Sequence, residues 1–172
     1  TVVFSPETYM SVNGRLIAEG TEQDSITFTG SYWNQINIQN ASGGSSLKYV
    51  RITDESADNY QTKLNLRNTT ISFSEFYNVN NAIELSDSAS VEYSKFSDIK
   101  GRAIQASNST IYGNEFYNIG SRNSYGNQAV ALYNNSVFRN NIIQGIVGGN
   151  AAVQVNGSNI IVLENIIGDY KG

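Results

Sequence analysis

From Leu64 onward the chain repeats one arrangement of apolar and polar positions. Five triplets read apolar, middle, apolar: Leu64-Asn65-Leu66, Ile83-Glu84-Leu85, Ile104-Gln105-Ala106, Val130-Ala131-Leu132 and Val153-Gln154-Val155. Seven or eight residues after each triplet begins comes a second apolar anchor, at Ile71, Val91, Ile111, Val137 and Ile161. Five residues later comes a third, at Phe76, Phe96, Phe116, Ile142 and Ile166. An earlier copy fits the same scheme, with Ile36-Asn37-Ile38, Leu47 and Ile52. Successive triplets start 19, 21, 26 and 23 residues apart. The variation falls in Gly/Asn/Ser-rich stretches between a third anchor and the next triplet, so each copy is a fixed part plus a loop of variable length.

Alternation with period two in runs this short predicts strands, and no stretch of useful length carries the 3.6 period of a helix. Three short strands in a repeat of about 20 residues, with no helix between them, predict a single-stranded parallel β-helix whose strands stack coil on coil. The expected architecture is all-β, a single domain over residues 1–172 of about seven coils with three short strands each. A two-sheet sandwich is less well matched, since it needs a hairpin signal every 8–12 residues and gives no reason for like residues to recur once per coil.

The turns carry their own signals. Asn68, Asp87, Asn108, Asn134 and Asn156 follow the first strand at matching places, where Asn tolerates the left-handed backbone of a sharp corner. Ser74, Ser94, Asn114, Asn140 and Glu164 stand two residues before the third anchor. A turn closed off from water there predicts small polar side chains bonded to the coils above and below, with stacked Asn forming amide ladders. Phe73 and Tyr93 are expected to point inward. The last coil stops while still on repeat, at Ile166-Ile167-Gly168, with no amphipathic cap. Bare solenoid ends are costly, so the expectation is an excerpt of a longer chain, joined to other domains or associating end to end.

Composition narrows the chemistry. Asn (23) and Ser (21) make up about a quarter of the chain, while charged residues are only 15%. There is no Cys and no His, which removes disulfides, the usual zinc and haem ligands, and any mechanism needing an imidazole base. A net charge of −4 argues against nucleic acid as partner. No apolar run approaches 18 residues, so no membrane-spanning helix is expected.

The units Ala82-Ile83-Glu84-Leu85-Ser86-Asp87-Ser88 and Val130-Ala131-Leu132-Tyr133-Asn134-Asn135-Ser136, followed by Arg139-Asn140-Asn141-Ile142-Ile143, resemble the parallel β-helix repeats of the pectate-lyase-like superfamily. The opening Val12-Asn13-Gly14-Arg15-Leu16-Ile17-Ala18-Glu19-Gly20-Thr21, Ile26-Thr27-Phe28-Thr29-Gly30 with Trp33, and Ser46-Leu47-Lys48-Tyr49-Val50-Arg51-Ile52 are similar to the first coils of bacterial secreted and surface β-helix proteins. The resemblance covers nearly the whole chain. It implies a right-handed β-helix and a secreted or cell-surface location. In such proteins the face of the first strand and its flanking loops hold polysaccharide. The resemblance leaves function open, because the fold carries lyases, hydrolases, epimerases, binding modules and adhesins alike.

On that face the candidate ligand-binding residues are Asn37, Lys63, Asn65, Arg67, Glu84, Gln105, Tyr133 and Gln154, since planar amides, a few charges and an aromatic platform suit sugars. Ala82, Ala103, Ala129 and Ala152 are read as outward with them. Tyr77 and Tyr117 follow the third anchors two coils apart and are candidate stacking rings. The stretch Thr53–Asn59 is the densest acidic segment. Its Asp54, Glu55 and Asp58 are the candidate calcium ligands, although the spacing is not a calcium-loop signature such as that of the EF-hand. Two functional classes follow. One is a non-catalytic domain binding polysaccharide or cell-surface glycan, in adhesion or as a rigid scaffold. The other is a calcium-dependent polysaccharide lyase acting on an acidic polymer near Lys63, Arg67 and Glu84, with Lys63 or Arg67 as base. A fibre or phage-type structural segment is a third possibility.

Overall fold

The computed structural model describes residues 1–39, 44–54, 62–120, 128–147 and 151–168. These residues form a parallel β-solenoid of about six turns with no helix among them. Every coil contributes one strand to each of three sheets, and each strand pairs only with its counterparts in the coils before and after it. One complete coil shows the plan: Thr62–Arg67 lies in the first sheet, Thr69–Ser72 in the second and Glu75–Tyr77 in the third. Every pairing is parallel and in register, so residues at one place in the repeat stack into a column along the axis.

Three apolar columns fill the interior. The first sheet gives Ile36, Leu64, Ile83, Ile104 and Val130, with Ile38, Leu66, Leu85, Ala106 and Leu132 beside them. In the third sheet the rings of Phe76, Phe96 and Phe116 stack at 4.7 and 4.9 Å, within 10° of parallel. A parallel ladder fixes the strand spacing at about 4.8 Å, so identical residues at one place come into ring contact with no further adjustment.

Two polar ladders hold the corners. Where the second sheet turns into the third, the buried side chains of Ser74, Ser94, Asn114 and Asn141, continued by Asn165, each accept the backbone N–H one coil earlier. The series runs from Val50 N–H on Ser74 Oγ (3.1 Å) to Asn141 N–H on Asn165 Oδ1 (2.9 Å). Backbone donors that the sheets leave unpaired are satisfied inside the solenoid in this way. At the other corner, Asn68, Asp87 and Asn108 take positive φ as expected, at 45°, 52° and 50°. In the later coils the left-handed place passes to Asn135 and Asn159, whose side-chain amides donate to Asn108 Oδ1 (2.8 Å) and Asn135 Oδ1 (3.0 Å).

The last two coils correct the expected register by one residue. Ile111 pairs with Phe138, not Val137, and Phe116 pairs with Ile143, not Ile142. Ile161 and Ile166 give way likewise to Val162 and Ile167. The inner polar ladder therefore runs through Asn141 and Asn165 rather than Asn140 and Glu164, and the first-turn column leaves Asn134 and Asn156. The cause is a longer first corner. Leu132 to Phe138 is one residue longer than Ala106 to Ile111, and the loop absorbs the extra residue without disturbing the strands.

Candidate functional site

The outward middle position of the first sheet is a single in-register column: Asn37, Asn65, Glu84, Gln105, Ala131 and Gln154. Alternation requires this from Asn37 to Ala131, because their neighbours on both sides are core apolar residues. Four of the expected face residues thus stand in one line at the strand spacing of about 4.8 Å, and Gln154 ends the line beyond Ala131. The centre of the line is a polar network. Gln105 Nε2 donates to Glu84 Oε1 at 3.2 Å, and the Arg102 guanidinium donates to Gln105 Oε1 and, at 3.0 Å, to Gln128 Oε1. Gln105 lies between two hollows. One, of about 280 Å³, is lined by Thr62, Asn81 and Arg102, and the other, of about 270 Å³, by Glu84, Ser107 and Tyr133. Tyr133, the expected aromatic of this face, does lie beside Glu84 and Gln105.

Arg102 is the site residue that the sequence pattern missed. It sits one residue before the buried Ala103, just outside the triplet, where alternation assigns no direction. In the next coil Gln105 pairs with Ala131, whose short side chain adds no further polar group to the column beside the guanidinium. Its Nε is buried without a hydrogen-bond partner among the described residues.

Lys63 is not on this face. Its side chain is fully buried, with Nζ 2.6 Å from Asp54 Oδ2, 4.7 Å from the centre of the Trp33 ring and bonded to the Trp33 carbonyl. Ala82, Ala103 and Ala129, read as outward, are buried too. Within the strand Thr62–Arg67 two consecutive residues, Lys63 and Leu64, are both fully buried, which simple alternation does not predict. Burial pushes the Lys63 ammonium below its ordinary pKa, and Asp54 opposes that shift by hydrogen bond and charge. Arg67 is exposed at the following corner, where its Nε lies 3.5 Å from Asp87 Oδ2. Lys63, Arg67 and Glu84 therefore do not converge on one point above the sheet, and Lys63 is out of reach of anything bound there.

Asp54, expected in an open calcium loop, is buried as the counterion of Lys63 and accepts the Tyr32 N–H at 3.2 Å. Glu55 and Asp58 lie outside the described residues. Among the described residues no three acidic side chains cluster as a metal site.

Tyr77 and Tyr117 share one column of the third sheet with Ser97 between them, two coils apart as expected. The Arg51 guanidinium lies 5.8 Å from the Tyr77 ring, and the Lys95 ammonium 5.6 Å from that of Tyr117. The Tyr117 hydroxyl donates to Glu115 Oε2 at 3.2 Å, and burial with the nearby Glu115 charge raises its pKa. These two rings belong to a different surface from the Glu84–Gln105 network. Phe73 and Tyr93, expected inward, are 46% and 49% exposed. No helix among the described residues is long and apolar enough to cross a membrane.

Comparison with protein-family profiles, with curated proteins and with solved structures returned no match to this chain.

Proposed function

We propose that this chain is a non-catalytic glycan-binding β-helix domain, carried by a secreted or cell-surface protein and used in adhesion or attachment. The observation behind this reading is the in-register polar line from Asn37 through Asn65 and Glu84 to Gln105, backed by Arg102 and bordered by Tyr133. Its groups repeat at the strand spacing, which is close to the advance per ring of an extended β-linked sugar chain. A polymer lying along the solenoid axis would meet an amide or carboxylate at each ring. The groups are fixed by a rigid sheet, so little ordering is needed on binding. Lys63 is buried and Arg67 is engaged with Asp87 at the following corner, so neither residue that would abstract a proton in a lyase stands free beside such a polymer. We place the chain with the pectate-lyase-like superfamily and infer a right-handed winding, which is also the near-universal hand of parallel crossovers.

The test is affinity gel electrophoresis against neutral and acidic polysaccharides, with and without calcium, followed by analysis of each polymer for shortened or unsaturated chains. Retardation without cleavage, weakened in Gln105→Ala and Glu84→Ala, is the expected result. Calcium-dependent cleavage would replace this reading with the lyase. No retardation by any polymer would leave a rigid scaffold.

A further inference from the structure

The corner between the second and third sheets holds a second surface whose chemistry the fold does not require. In every coil this corner needs a left-handed residue, whose N–H bonds to the next coil. The column reads Tyr49, Phe73, Tyr93, Gly113, Asn140 and Glu164, with φ between 48° and 66°. Gly113 and Asn140 are what such a backbone favours. A bulky aromatic there is an outlier that costs on the order of 1 kcal/mol or more. Three successive coils nevertheless carry one, and Phe73 and Tyr93 are about half exposed. The rings stack on each other at 5.4 Å, and Tyr112 closes the column edge-on at 5.3 Å. Stacking recovers part of the strain, yet Gly or Asn would avoid strain and exposure together.

These rings form one wall of a groove of about 360 Å³ that runs along the axis over three coils. The other wall is the outward column Arg51, Glu75 and Lys95, paired in register. Arg51 Nε and Glu75 Oε2 are 3.2 Å apart, and Lys95 has no carboxylate within ion-pair distance among the described residues. The floor is Val50 and Ser74, and Glu22 closes one end. The four charges, two of each sign, cancel. One wall thus offers ring edges and phenol hydroxyls, and the other offers alternating acceptors and donors one strand apart.

We propose that this groove is a binding site for a linear, uncharged hexopyranose polymer lying along the solenoid axis. The sugar rings would lie against the exposed edges of Tyr49, Phe73 and Tyr93, and their hydroxyls would bond to Glu75, Arg51 and Lys95. A polyanion would meet two carboxylates, Glu22 and Glu75, in the lining. The site lies on a different face from the Glu84–Gln105 line and does not depend on the function read there.

The experiment is affinity electrophoresis in hydroxyethylcellulose and in glucomannan, with polygalacturonate as the acidic counterpart. It uses the native chain, the triple variant Tyr49→Asn/Phe73→Asn/Tyr93→Asn, the single variant Glu75→Ala, and Tyr9→Ala as an exposed-tyrosine control. The groove predicts retardation by the neutral polymers, weakened tenfold or more in the triple variant and severalfold in Glu75→Ala, and unchanged in Tyr9→Ala. It also predicts that Phe73→Asn alone does not lower the thermal midpoint, because Asn suits that backbone. Glu75→Ala alters only an exposed ion pair, so it reads binding even where the triple variant folds poorly. Absence of neutral-polymer retardation, or retardation that survives Glu75→Ala and the triple variant alike, overturns the proposal. Loss in Gln105→Ala with no loss in the groove variants would also overturn it while sparing the first-sheet reading. The reverse pattern would sink the first-sheet reading and keep the groove.

Discussion

Lys63 Nζ and Asp54 Oδ2 meet at 2.6 Å inside the solenoid, both side chains fully buried. The pair ties one coil to the next. Asp54 Oδ1 accepts the Tyr32 N–H, the Asp54 carbonyl accepts Asn78 Nδ2 at 3.1 Å, and Trp33 Nε1 donates to the Thr53 carbonyl at 3.1 Å. Removing either partner strands a charge away from water, at a cost of about 3–5 kcal/mol. Lys63→Met should therefore lower the urea midpoint sharply. The double variant Lys63→Met/Asp54→Asn should recover much of the loss, because Asn keeps an acceptor for Tyr32 and brings no charge. A double variant whose loss equals the sum of the singles would show that the pair is not coupled.

The same lysine sets an alkaline pH dependence. Its folded pKa lies below the ordinary 10.5 because burial disfavours the ammonium. Below the folded value both states hold the proton, and the contribution of Lys63 to stability is flat and at its lowest. Between the folded value and 10.5 the unfolded chain binds more protons, so stability rises with pH. Native stability minus that of Lys63→Met, from urea unfolding at neutral pH and again just below 10.5, should grow. Tyr93 and Tyr117, whose pKa values are raised, pull the other way above pH 10, but they are common to both proteins and cancel in the difference. A difference independent of pH would contradict the burial of the ammonium.

Asn141 is the most connected rung of the inner polar ladder. Its Oδ1 accepts the Asn114 N–H (2.9 Å) and Nδ2 (3.1 Å), and its Nδ2 donates to the carbonyls of Ile111 (3.2 Å) and Arg139 (2.9 Å). Asn141→Ala leaves a buried backbone donor and carbonyls unpaired, each worth about 1–3 kcal/mol. Asn141→Ser should cost clearly less, since Ser74 and Ser94 do this work three and two coils earlier with their hydroxyls as acceptors. Equal destabilisation by Ala and Ser, measured by thermal unfolding, would deny the ladder its role.

How much of this was legible in the sequence depended on which columns carried an unambiguous cue. The triplets and the five-residue step from second to third anchor gave the solenoid, its three sheets and the Phe76–Phe96–Phe116 stack. They also gave the face column from Asn37 to Gln154, because strict alternation leaves one outward residue between two apolar ones. Past Leu132 the cue failed. Val137-Phe138, Ile142-Ile143, Ile161-Val162 and Ile166-Ile167 are adjacent apolar pairs, and the five-residue step holds for either member. Corner geometry decided the register, and a longer corner leaves no mark on the strands. Lys63 failed differently. A charged residue next to a core position reads as outward, and its partner Asp54 and cover Trp33 come from distant parts of the chain. The corner aromatics Phe73 and Tyr93 look like core residues in the sequence, because a bulky ring at a left-handed residue is not what local preference expects.

The register correction is itself testable at one pair of neighbours. Phe138 is fully buried and packs 6.2 Å from the Phe116 ring, whereas Val137 is only partly buried. Phe138→Ala opens a cavity between two sheets, where such truncations cost about 3–5 kcal/mol. Val137→Ala removes two methyls from a half-wetted position and should cost about 1 kcal/mol or less, at the low end of the per-methylene value. Urea unfolding of the two variants ranks them directly. The alternation read from the earlier coils predicts the opposite order, with Val137 as the anchor. A larger loss at Val137 would restore that register and move the polar ladder back to Asn140. The observed stacking requires the larger loss at Phe138, because only that residue continues the Ile71–Val91–Ile111 column into the last coils.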